Sequence, residues 1–182
     1  MAEVRPQVKR LAARVAPAGV ACVLAALLLA GRNALTGPEV VTVTGEEAAR
    51  LVRQEAGRMR LVLLYRTTSP ESRRLLPGFI ELAERAGGEG VAVLALALDR
   101  SPGSVGVYMA PLRLPFELVH VRAGEVEELA AALRATGIEL SGRAGVPLTA
   151  LIDGRGRLVG QWGGVEGVER AAAALAAAGI VR

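Results

Sequence analysis

Two apolar runs constrain this chain more than any other feature. Leu61-Val62-Leu63-Leu64-Tyr65 is one, and residues 91–98, Val-Ala-Val-Leu-Ala-Leu-Ala-Leu, are the other. Neither run alternates with polar residues. A strand with one face in water alternates, whereas a continuous run is covered on both faces. Between them, residues 70–86 carry Leu75, Leu76, Phe79, Ile80, Leu82 and Ala83 at helical spacing, with Gly87-Gly88 as the stop. Strand, helix, strand at this spacing predicts a βαβ unit with parallel strands and a right-handed crossover. The class is therefore α/β, with helices on both faces of a sheet.

Local signals fill in the rest. Residues 39–43 are rich in valine and read as a strand. Thr44-Gly45-Glu46-Glu47 fits a capping box, and its helix is expected to run to about Ala56, with Gly57 as terminator. Ser101-Pro102 starts a helix over 101–110. A short strand is predicted at 116–119 and a helix at 124–136, with Glu125, Glu127 and Glu128 in the first turns, where they suit the helix dipole. Residues 148–152 and 158–162 flank the turn signal Asp153-Gly154-Arg155-Gly156 and read as a hairpin. A last helix is predicted over 165–178, between Gly163-Gly164 and Gly179.

The net charge of +4 is local. Residues 1–32 hold five Lys/Arg against one acid, and residues 33–182 hold 17 of each sign. A basic globular surface for nucleic acid is not supported. Residues 15–31 contain no charge and lie between Arg14 and Arg32. As a helix they span roughly 25 Å, short for a bilayer core of about 30 Å unless the flanking arginines snorkel. Four basic residues precede the run and one follows it. That bias keeps residues 1–14 in the cytoplasm and the rest outside, with 15–31 as a lipid-embedded anchor and 32–38 as linker. A cleaved signal peptide is the rival reading, although Arg32 spoils the small-residue cleavage site. A buried soluble helix would have to hide every face.

Cys22, inside that run, is the one cysteine, and His120 is the one histidine. An intramolecular disulfide, a CxxC pair, a cysteine metal cluster and a histidine-rich zinc site are therefore all excluded by count. No cofactor and no small-molecule substrate are expected.

The turn between the first apolar run and its helix reads Arg66-Thr67-Thr68-Ser69-Pro70-Glu71-Ser72-Arg73-Arg74-Leu75-Leu76-Pro77. Further on comes Gly145-Val146-Pro147-Leu148-Thr149-Ala150-Leu151-Ile152-Asp153. The first stretch resembles the active-site helix of the thioredoxin fold, where W-C-x-x-C precedes a charged pair and a downstream proline. The second resembles the segment that carries that family's cis-proline. Over 39–182 the pattern is most similar to membrane-anchored, exported thioredoxin-like proteins related to cytochrome c maturation and the alkyl hydroperoxide reductase/thiol-specific antioxidant group.

The resemblance implies a thioredoxin-like sheet and a cis bond at Val146–Pro147. It also implies that Ser69 and Ser72 stand at the two cysteine positions and Thr68 at the tryptophan. Resemblance alone implies a thiol-disulfide oxidoreductase. Exchange needs a thiolate at both positions, and serine supplies none. Ser69-Pro70-Glu71-Ser72 also reads as an ordinary helix start: an N-cap serine, proline at the first helical position, and an acid at the positive end of the dipole. A serine nucleophile would need a base within reach, and His120 is expected elsewhere on the domain.

The expected function is that of a non-catalytic accessory or assembly subunit of a larger bacterial membrane complex, respiratory or photosynthetic, at the extracytoplasmic face of the inner membrane. Its partners would be other protein subunits. The alternative is a periplasmic peptide-binding module or chaperone that pairs extended segments with the Val146-Pro147 backbone. Asp99 is expected to cap the Ser101-Pro102 turn. His120 is expected to be a half-buried strand-end residue, Arg73-Arg74 a solvated helix face, and Trp162 either core or a partner contact.

Overall fold

The computed structural model describes residues 38–54, 57–140 and 145–181. Residues 1–37, with the proposed anchor at 15–31, lie outside them. Among the described residues no helix is long and apolar enough to cross a membrane.

Among the described residues, six strands form one sheet: β1 Val40–Val43, β2 Arg60–Tyr65, β3 Ala92–Ala97, β4 Leu118–Val121, β5 Leu148–Ile152 and β6 Leu158–Gly163. Their order across the sheet is β1-β4-β3-β2-β5-β6. The first four are mutually parallel, whereas β5 runs antiparallel to β2 and β6 antiparallel to β5. The described residues also form five helices: α1 Gly45–Arg53, α2 Pro70–Gly88, α3 Pro102–Met109, α4 Val126–Arg134 and α5 Gly167–Ala177.

The continuous runs became central strands. Every residue of β2 is buried. Leu61, Leu63 and Tyr65 face a cluster with Leu75, Leu76, Phe79 and Leu82 of α2 and Leu175 of α5. Val62 and Leu64 face the opposite cluster, with Ala48 and Val52 of α1 and Leu129 and Leu133 of α4. Each buried leucine contributes about 1.5–3 kcal/mol relative to exposure. Strands covered on both faces therefore have no position left for alternation. Arg60 is the exception in β2: its Nη1 donates to the Leu51, Val52 and Gln54 carbonyls at the end of α1. Burial, and secondarily Arg58, lowers its pKa from the ordinary guanidinium value.

The caps follow the sequence signals. Thr44 and Glu47 form the full capping box. Ser101 Oγ accepts from the Gly103 N–H at the head of α3. Several boundaries moved by one to three residues. α1 ends at Arg53, and α2 includes Gly87 and Gly88, with Gly90 taking the positive φ that turns the chain. β4 begins at Leu118, two residues later than expected, where its pairing with Val40 of β1 and Ala95 of β3 starts; Phe116 instead packs edge-to-face on Phe79 of α2.

Candidate functional site

β2 and β3 are parallel, so both deliver the chain to the same end of the sheet. β5 is antiparallel to β2 and begins there, with Leu148 opposite Leu64. That end gathers the turn 66–69, the head of α2, Asp99, and the cis Val146–Pro147 peptide.

The turn is built by its own serines. The Ser69 N–H donates to the Arg66 carbonyl (3.0 Å). Ser69 Oγ accepts from the Ser72 N–H (3.3 Å), and Ser72 Oγ accepts from the Arg66 N–H (3.2 Å). Ser72 is wholly buried, while Pro70 and Glu71 are exposed. Both hydroxyls are engaged with backbone amides. Among the described residues, no imidazole or carboxylate hydrogen-bonds to either one, so neither is set up as a nucleophile.

Asp99 departs from expectation. It does not cap the Ser101 turn, because Ser101 caps α3 itself. Its buried carboxylate instead reaches across to the preceding loop. Oδ1 and Oδ2 accept from the Thr67 N–H (3.1 and 3.0 Å), and Oδ1 accepts from Thr67 Oγ1 (2.7 Å). Thr67 is buried as well. The cause is register: Tyr65 pairs with Ala97, so the residues two further on in each parallel strand meet.

His120 also differs from expectation. It lies inside β4 at 2% exposure, with Nε2 2.9 Å from the Asp99 carbonyl and Nδ1 3.3 Å from Thr42 Oγ1. Nε2–H therefore donates to the carbonyl, and Nδ1 shares a hydrogen bond with the threonine hydroxyl. The histidine lies closer to the turn than expected, yet both ring nitrogens are occupied and neither faces a serine.

Arg73 is more than a solvated face. Its Nε donates to the Thr67 carbonyl, and its guanidinium lies over the Tyr108 ring, 5.1 Å from the centroid. Asp99 fixes Thr67, and Thr67 fixes Arg73. The sequence signals missed this chain of contacts. Arg74 is exposed and makes no hydrogen bond among the described residues, as a solvated position would.

Pro147 is buried, and its carbonyl accepts from the Gly164 N–H (2.9 Å). Val146 is half-buried against the α1/α4 cluster. Trp162 is half-buried against the α2/α5 cluster, its ring lying over Gly160. It is therefore a core-edge residue with one accessible side. Among the described residues, no group of three or more His, Cys, Asp or Glu could hold a metal ion.

Burial pushes the Tyr65 phenol well above its ordinary value of 10.0, and the charge of Asp99 adds to the shift. The folded form thus holds its proton where the unfolded form has lost it. This contribution to stability is fully present below pH ~10 and is lost as pH rises from there toward the folded value. Spectrophotometric titration should show Tyr65 ionising only together with alkaline unfolding, and Tyr65→Phe should flatten the alkaline loss of stability.

No family model matches the chain, and no curated protein does. Solved structures do. A putative thiol:disulfide interchange protein DsbE from Chlorobium tepidum superposes with TM-score 0.53 at 17% identity, covering 69% of this chain and 82% of that one. The exposed lipoprotein thioredoxin Etrx1 of Streptococcus pneumoniae gives 0.51 at 18%, covering 69% and 89%. The fold is thioredoxin-like. The bacterioferritin comigratory protein of Xanthomonas campestris, studied for alkyl peroxide reduction, gives 0.51 at 23%, covering 69% and 83%. At these identities the likeness concerns the fold, and the chemistry of a thioredoxin-like domain lies in its site.

Proposed function

We propose that this thioredoxin-like domain is redox-silent and serves as an accessory or assembly subunit of a larger bacterial membrane complex. Residues 15–31 would hold it at the extracytoplasmic face of the inner membrane. One observation carries the reading. Ser69 and Ser72, where the resemblance places two cysteines, accept through their hydroxyl oxygens from the Ser72 and Arg66 N–H groups. The turn is thus held by capping hydrogen bonds and contains no sulfur. The one cysteine, Cys22, lies in the apolar run that precedes the domain. The similar structures are of proteins described for thiol:disulfide interchange and alkyl peroxide reduction; thiol exchange needs a thiolate, and residues 33–182 contain no cysteine to supply one.

The test is mild detergent solubilisation of native membranes, followed by size separation and detection of this chain. Co-migration with a larger assembly at constant ratio is the expected result. Migration as a free protein of 18.9 kDa plus detergent would contradict it.

A further inference from the structure

The end of the sheet around Thr67 and Asp99 carries an uneven charge. Arg66 adjoins Thr67, Arg73 is bonded to its carbonyl, Arg74 follows on α2, and Arg100 adjoins Asp99. The acids in these two segments are Glu71 and the buried Asp99, whose carboxylate is spent on Thr67. Residues 33–182 are balanced as a whole, so this end is basic against the domain's own average. Among the described residues, none of the four arginines is in an ion pair.

Arg73 is also pre-positioned. Nε is committed to Thr67 and the guanidinium plane to Tyr108, while Nη1 and Nη2 have no partner among the described residues. A guanidinium held in place presents its outer donors to a carboxylate with little ordering cost. Val107, one residue before Tyr108 on α3, is an apolar side chain 79% exposed. Mixed apolar and arginine contacts are typical of protein interfaces, and arginine is enriched at their hot spots.

From this geometry we infer that Arg73, Arg100 and Val107 form a docking surface for an acidic polypeptide segment that interleaves carboxylates with apolar side chains. The inference rests on the subunit reading above and names the chemistry of its partner. A carboxylate meets Arg73 at Nη1 and Nη2, and an apolar neighbour covers Val107.

The full chain in detergent micelles is titrated with a fluorescein-labelled peptide alternating glutamate with valine and phenylalanine. A counterpart with lysine replacing glutamate serves as the control. The acidic peptide should bind, more weakly as salt rises, and the lysine peptide should not. Arg73→Gln should weaken binding about tenfold. Arg100→Glu, whose side chain makes no hydrogen bond among the described residues, should do the same without altering the melting temperature. Val107→Ser should weaken binding less, and Arg85→Gln, near the far end of α2, should leave it unchanged.

Wild-type affinity in Arg73→Gln and Arg100→Glu, equal binding of both peptides, or no binding at all would overturn the proposal. So would Arg73-dependent capture by phosphatidylglycerol vesicles in place of the peptide, which would make this a lipid-facing surface. If the chain co-migrates with a complex and yet ignores the acidic peptide, the subunit reading stands and this surface fails. If it migrates alone, the subunit reading itself fails.

Discussion

Asp99→Ala is expected to destabilise the domain by about 3 kcal/mol, since it strands two buried donors on Thr67. Neither the Thr67 N–H nor its hydroxyl has a second acceptor among the described residues, and Thr67 is only 3% exposed. Asp99→Asn should cost roughly half as much, because one amide oxygen can still accept from Thr67. Thr67→Val should cost about 1 kcal/mol, the net worth of one hydrogen bond. Urea unfolding of the three variants checks the order. The loss should also be felt at a distance, because the Thr67 carbonyl holds Arg73. An Asp99→Ala protein as stable as wild type would show that water, rather than the carboxylate, satisfies this loop.

Gly45→Ala should destabilise by about 3 kcal/mol, through overpacking. A Cβ there would sit 2.5 Å from the Glu125 carbonyl oxygen and 2.9 Å from the Leu129 nitrogen. Both are backbone atoms of α4 and its cap, so no side chain can swing away. The two helices covering one face of the sheet would have to separate, which opens the cluster of Val52, Leu129 and Leu133. Gly87→Ala is the matched control. Its Cβ would meet nothing within 4 Å, and the residue lies inside α2. Replacing a helical glycine there should stabilise by about 0.5–1 kcal/mol. Thermal melts of the two variants should therefore move in opposite directions.

Much of the architecture was legible because its signals are local. β2 and β3 showed as continuous runs because both their faces are covered. Thr44, Ser69 and Ser101 were readable as caps because each is bonded to an amide within three residues. The ends of elements were less legible. Phe116 looked like strand, yet its contact with Phe79 lies 37 positions away. The site was read in half. The serine turn is local, but the Thr67–Asp99 contact depends on the register of two parallel strands, and Arg73 over Tyr108 depends on how α3 packs beside α2. Neither leaves a mark in the linear pattern. Asp99 followed an apolar run just as many exposed strand-end residues do. Only pairing Tyr65 with Ala97 reveals that it faces Thr67.

The central claim is that the head of α2 performs no thiol chemistry. Insulin reduction by the purified chain, measured beside a Ser69→Cys/Ser72→Cys variant, tests it most directly. The wild type should match the reagent blank, and the variant, with sulfur restored at both turn positions, should accelerate precipitation of insulin. Reduction by the wild type above the blank would contradict the account.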